Sequence, residues 1–192
     1  MAPQPNVERY AIDPAMSRFT VKAVATGMLS AMGHNPTIAI RDFSGEAEFA
    51  PGTLDHAALR LRIDARSLEV TGNVSDRDRR EMEQTMNQEV LEVARFPEIV
   101  FEAANASPNK AGDGHYLVSL LGNLSLHGVT RSQPVSAQIA LQGDILRAHG
   151  EFSLRQTDYG IKPVSVAGGT LKLKDELKLS FDILARRVAD RS

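Results

Sequence analysis

Two-residue alternation of apolar and polar side chains recurs along almost the whole chain and is interrupted once by a helical pattern. Leu59, Leu61 and Ile63 alternate with Arg60, Arg62 and Asp64. Val135, Ala137, Ile139 and Leu141 keep the same parity, as do Leu177, Leu179, Phe181 and Ile183. A strand turns successive side chains to opposite faces, so these runs read as strands with one dry and one wet face. Such sheets are antiparallel. Turn signals at Pro51-Gly52, in the polar stretch 105–110 and at Gly143-Asp144 separate the runs. Their spacing predicts about eight strands in a barrel or a sandwich. Gly122 breaks one run in a way that fits a long bent strand. A parity switch near Arg41-Asp42 predicts a turn or bulge.

The interruption runs from Ser75 to Pro97. Ser75 is a good N-cap, and Asp76 and Asp78 suit the positive end of a helix dipole. Met82, Met86 and Val90 lie four apart and share one helical face. Arg95-Phe96-Pro97 ends the pattern, because proline cannot continue a helix. A single helical insert, about 75–95, with an apolar stripe must cover something apolar. It is expected to close or flank the mouth of a β-barrel. The segment Thr26 to Pro36 reads as an irregular rim.

With 192 residues the chain fits one domain. The expected organisation is a loose leader at 1–9, a barrel domain at 10–185 and a basic, solvated tail at 186–192 carrying Arg186, Arg187 and Arg191. Twenty-two basic against 24 acidic residues leave a net charge of −2, which gives no pull toward nucleic acid. There are no cysteines, so disulfides and thiolate chemistry are excluded. No run approaches the ~18 apolar residues of a membrane span. MAPQPNVERY has no apolar signal core, so the chain as it stands reads as cytoplasmic, and as periplasmic if a leader was trimmed.

No G-x-S-x-G elbow, phosphate loop, dinucleotide fingerprint or H-E-x-x-H occurs. The five histidines are scattered, so no metal and no cofactor is expected. His127 reads as a residue that holds a turn or the barrel end. His34 reads as a loop histidine, with a ligand head group as its alternative partner. Arg77-Asp78 is accounted for by helix capping and a surface ion pair, and a head-group clamp is the alternative. Asp158-Tyr159-Gly160 marks a strand corner, with Tyr159 either at the mouth or stapling the barrel.

Five segments together resemble the YceI-like family of bacterial polyisoprenoid-binding proteins. They are Tyr10-x-x-Asp13-Pro14-x-x-Ser17-x-Phe19; Phe43-Ser44-Gly45; Asn73 with Arg77-Asp78 and Phe96-Pro97-Glu98-Ile99-Val100-Phe101; Gly122 through Thr130; and Asp158-Tyr159-Gly160-Ile161. The resemblance implies an all-β, antiparallel, lipocalin-like barrel of about eight strands with a helical insert. It also implies an apolar tunnel holding a long-chain isoprenoid or similar amphiphile, often in a homodimer.

On that basis Phe19, Val21, Met28, Met32, Met82, Met86, Phe96, Phe101 and Phe152 are expected to line the tunnel. His34, Arg77, Asp78 and Tyr159 are expected to meet the head group. Periodicity alone fits an ordinary packed core at the same apolar positions, and the resemblance tips the reading to a lumen. Methionine suits a flexible chain, and burying one gains about 0.8 kcal/mol per methylene. The expected function is non-enzymatic binding, transport or storage of a lipid, an isoprenoid quinone among the candidates. Two alternatives stand beside it. One is a stress-related accessory or protein-interaction subunit with a filled core. The other is an enzyme acting on an amphiphile with His34 or Asp158 as base.

Overall fold

The computed structural model describes residues 7–26, 35–51, 53–54, 57–104, 106–166 and 171–189. Its strands, in chain order, are β1 (Glu8–Ile12), β2 (Arg18–Thr26), β3 (Thr37–Ile40), β4 (Phe43–Phe49), β5 (Ala58–Asp64) and β6 (Leu68–Thr71). Helix α1 (Asp76–Thr85) follows, with a π-helical turn at Met86–Val90. The chain then continues as β7 (Glu98–Ala104), β8 (Ser107–Gly112), β9 (His115–Leu126), β10 (Val129–Gln142), β11 (Ile145–Arg155), β12 (Ser165–Val166) and β13 (Leu171–Arg187).

Eight of these strands form a closed antiparallel ring in the order β1-β4-β5-β7-β9-β10-β11-β13, and β13 returns to β1. Closure leaves the ring without a free edge. The length of β13 allows it to serve two strands on one side. Lys172 to Asp182 pair with β2, and Ala185 to Arg187 pair with β1. From β2 the sheet runs on to β3 and β6.

The wall therefore splits at one end, and the split follows two local breaks. At Arg41-Asp42 the chain steps from β3 to β4. At Ala65–Ser67 a 3₁₀ turn separates β5 from β6. The Asp64 carboxylate caps that turn by accepting from Arg66 N at 2.9 Å. Arg41 N donates to Ser67 O at 3.1 Å and Asp64 N to Asp42 O at 3.0 Å, so the breaks sit side by side and support each other.

The insert occupies the split. Ser75 Oγ accepts from Asp78 N at 3.1 Å, which starts α1. Glu83 Oε1 accepts from Val70 N at 2.9 Å, so the helix covers the otherwise open edge of β6. At the π-helical turn Leu91 N donates to Met86 O at 2.8 Å. This five-residue step places Leu91 on the same face as Met82, Met86 and Val90.

Exposed arginine–glutamate pairs run across the outer wall, among them Arg60–Glu102 and Arg62–Glu98, both at 2.9 Å. Such pairs contribute little stability individually but favour one register. Two expected boundaries shift. Glu8 and Arg9 belong to β1 rather than to a leader, and Arg186 and Arg187 belong to β13 rather than to a tail. Opposite charges hold them there: Arg186 lies 3.2 Å from Asp13, and Arg187 3.1 Å from Glu8.

Candidate functional site: an apolar lumen closed by the insert

The barrel is hollow. A cavity of about 600 Å³ lies inside it, with walls that are almost wholly apolar. The reason lies in the inward-facing positions. Ala23, Ala25, Ala137, Ala148 and Ala185 all face inward and all line the void. Gly122 and Gly150 occupy further inward positions. Side chains this small cannot meet across the ring, so the lumen stays open.

At one end, Tyr10, Phe49 and Leu54 are the largest fully buried side chains, and Phe49 and Leu54 form part of the cavity wall. Tyr10 stacks on Phe49 with ring centroids 5.0 Å apart. Its hydroxyl donates toward Glu8 at 3.2 Å and lies 3.4 Å from Gly143 O in the β10–β11 turn. Burial, with Glu8 beside it, pushes the Tyr10 phenol up to about 12.

Polar wall groups gather at the other end, beside the insert. Asp78 and Glu81 come from α1, Lys172 from the start of β13, and Gln156 from the 3₁₀ turn after β11. Gln156 is 4% exposed, and its amide donates to Lys174 O at 2.9 Å. Met82, Met86, Val90 and Leu91 supply the apolar lining from the insert itself.

The lumen brings together Phe19, Val21, Asp78, Met82, Met86, Phe101 and Phe152. Met28, Met32 and His34 lie outside the described residues. Three expected residues are placed elsewhere. Arg77 does not line the cavity: its guanidinium is exposed and pairs with Glu81 at 3.2 Å. Phe96 packs outside the lumen against the His127 ring at 4.6 Å, with the Arg95 guanidinium 5.0 Å from its centroid. Tyr159 is buried but borders a separate outer cleft with Arg131, Arg155, Asp158 and Asp175.

That outer cleft is largely satisfied by its own groups. Asp175 accepts from Thr157 Oγ1 at 2.6 Å, Thr157 N at 2.8 Å and Arg155 Nε at 3.0 Å. The Thr157 hydroxyl and amide, with Arg155, hold the Asp175 carboxyl below its ordinary range. Burial raises the Tyr159 phenol. The Asp158-Tyr159-Gly160 corner is thus a staple, with Gly160 supplying the left-handed turn at φ 70°.

His127 ties the end of the insert to the barrel. His127 and Gly128 form the two-residue turn between β9 and β10, and both have positive φ, 52° and 74°. That is the turn type a right-twisted hairpin favours. His127 Nε2 lies 2.8 Å from Glu92 Oε2, and Nδ1 lies 3.3 Å from Tyr159 O. Both partners are acceptors, so only the imidazolium donates to both at once. Glu92 also has positive φ, at 46°, and hydrogen bonds from Arg95 and then His127 lower its carboxyl. Two strained residues held face to face fix where the insert ends.

A closed, hollow antiparallel barrel with a helix over one end is a lipocalin-like architecture. The model of the YceI-like domain matches residues 10–185, and the chain belongs to that family. A UPF0312 protein of Yersinia pestis (strain Pestoides F) is 31% identical over 134 residues. That match covers 70% of this chain and 58% of the relative, so the chain spans less than two thirds of the curated relatives' length. Among solved structures, the chain resembles BcnA of Burkholderia cenocepacia, with TM-score 0.67 and 17% identity over 90% of this chain and 98% of that one. It also resembles a polyisoprenoid binding domain from Saccharophagus degradans implicated in plant cell wall breakdown. There the TM-score is 0.67 and the identity 14%, over 93% and 98% of the two chains.

Proposed function

We propose that this protein binds a long-chain isoprenoid or a related amphiphilic lipid without transforming it, and carries or stores it. The observation that carries the reading is the almost wholly apolar cavity of about 600 Å³ with its charged groups, Asp78, Glu81 and Lys172, at the insert end. A chain with an apolar tail and one polar head matches that distribution, and tail burial at about 0.8 kcal/mol per methylene supplies the affinity. The Saccharophagus degradans neighbour, described as polyisoprenoid-binding, supports the same class of ligand. An isoprenoid quinone fits as well as an isoprenoid alcohol. A filled accessory barrel is disfavoured by the void. Asp158, the candidate base of an enzymatic reading, borders the outer cleft rather than the lumen.

The test is Met86→Arg. Met86 is 8% exposed and lines the cavity from the insert. A guanidinium there places an unpaired charge in an apolar lumen. Organic extraction and native mass spectrometry are expected to find lipid in the parent and at least tenfold less in the variant, with the barrel's circular dichroism retained. Equal lipid in both proteins sinks the lumen as the binding site.

The same proposal includes a homodimer. The outer face of β9 and β10 carries Leu117, Ser119, Leu121, Asn123, Ser132, Pro134, Ser136 and Gln138, with no charged residue among them. Neighbouring β7 and β11 carry Glu98, Glu102, Arg147, Glu151 and Arg155 on the same outer side. Depletion of charge with protruding leucines is the composition of an interface core.

A further inference from the structure

The outer wall neutralises its arginines in pairs, and its lysines are the exception. Arg9, Arg41, Arg60 and Arg62 each lie 2.7–2.9 Å from a glutamate. Lys110 lies 3.5 Å from Asp113. The other five lysines, Lys22, Lys162, Lys172, Lys174 and Lys178, are all exposed, and none has a carboxylate partner among the described residues. The net charge of −2 conceals this local excess.

The five converge on one end of the barrel. Lys22 of β2 and Lys178 of β13 are register partners. Val21, Ala23, Leu177 and Leu179 line the lumen, so both ammonium groups stand on the outer face, side by side. Lys172 pairs with Thr26 on one side and with Ser165 of β12 on the other. Lys162 lies three residues before Ser165, and Leu173 N donates to Val164 O at 2.9 Å, which holds that stretch against β13. Lys174 sits on the bulge between Leu173 and Leu177, where its carbonyl accepts the Gln156 amide at 2.9 Å. This is the insert end, where Lys172 also borders the cavity.

Few carboxylates oppose them. Asp175 is taken by Arg155 and Thr157. Asp158 shares the outer cleft with Arg131. Glu176 on β13 and Glu151 on β11 remain, which leaves the cations in excess. Like charges directly opposite each other are unfavourable in a sheet, and nothing in the barrel offsets the Lys22–Lys178 pair. Lysines are hydrated point charges on flexible stems, so a diffuse anionic surface fits them better than one planar carboxylate. No aromatic side chain is exposed on β2, β12 or β13 among the described residues, so a nucleic-acid base has no ring to stack on.

We propose that this lysine rim docks the insert end of the barrel on an anionic phospholipid bilayer. Each lysine near such a leaflet raises partitioning about fivefold, and salt screens the attraction. Docking would present the end of the lumen that carries the insert to the membrane in which an amphiphile resides. That consequence rests on the lipid-binding reading, whereas the docking itself does not.

The experiment floats the purified full chain with vesicles of phosphatidylcholine alone, or of phosphatidylcholine with about a third phosphatidylglycerol, at about 50 mM and about 500 mM salt. The parent is expected to float with the anionic vesicles at the lower salt, to leave them at the higher, and to ignore the neutral ones. Lys22→Gln combined with Lys178→Gln removes the like-charge pair, and is expected to lower binding at least tenfold with an equal or higher melting temperature. Lys110→Gln, on β8 at the other end of the barrel, is expected to bind as the parent does. Failure of the parent to float with the anionic vesicles overturns the proposal, as does equal binding by the double variant or to neutral vesicles. Organic extraction of the parent keeps the two readings apart. Docking by a protein that yields no lipid defeats the lumen as a lipid seat and leaves the rim, whereas lipid in a protein that does not dock defeats the rim alone.

Discussion

Tyr10 is 1% exposed, and its phenol is pushed up to about 12. A folded value above the unfolded value near 10 means that its stabilisation is complete below pH 10 and is lost as pH rises toward 12. At pH 11 the loss is about 1.4 kcal/mol. Urea unfolding at pH 8 and pH 11 is expected to show the parent losing that much more than Tyr10→Phe, which has no phenol to ionise. An equal loss in both proteins would acquit Tyr10. At this scale the sequence was legible where one residue carried its own local reason. Ser75 capped a helix, His127 held a turn, and Gly143-Asp144 made a hairpin. Phe96 was not legible, because its partners His127 and Gly128 come from another turn. A Cβ on Gly128 would lie 2.6 Å from the Phe96 ring, so the pocket that captures Phe96 exists only after β9 and β10 pair.

The insert joins α1 to the barrel through few bonds, and Glu83 makes one that matters. Its carboxylate accepts Val70 N, the amide of an edge strand with no further strand beside it among the described residues. Glu83→Ala leaves that amide unpaired, at about 1 kcal/mol, which is roughly a fivefold change in local opening. Hydrogen exchange at Val70 is expected to accelerate by about that factor, and Glu83→Gln, whose side-chain oxygen still accepts, is expected to restore slow exchange. No acceleration in Glu83→Ala would mean that packing of Met82 and Met86, rather than this bond, seats the helix. The helix itself was visible in the spacing of Met82, Met86 and Val90. The π-helical turn was not, because a four-residue repeat reads the same until Leu91 joins the face one residue further on. Arg77 illustrates the same limit: its neighbour Asp78 lines the lumen while Arg77, one position away, points to solvent and Glu81.

For the whole molecule, alternation revealed strands but not closure, since the β13–β1 pairing joins residues at opposite ends of the chain. Hollowness did leave a trace: Ala23, Ala137, Ala148, Gly122 and Gly150 share the inward parity of their strands, where a filled barrel would carry larger groups. The outer parity has its own signal. Leu117 and Leu121 are 52% and 65% exposed on the uncharged face of β9 and β10, while the flanking strands are charged. A two-fold axis parallel to these strands would lay the β7 rim of one copy over the β11 rim of the other. Glu102 would then lie level with Arg155, one opposite-charge pair at each rim while the centre stays neutral. Twelve residues of strand by four strands gives about 800 Å² per copy, the size of a standard interface. Sedimentation of the parent is expected to give twice the 20.9 kDa chain mass, and Leu121→Asp, which places a like charge on both copies across the axis, to give 20.9 kDa with the circular dichroism of the folded barrel retained. A parent that sediments as a single chain at tens of micromolar refutes the dimer, and a variant that stays paired moves the interface off this face.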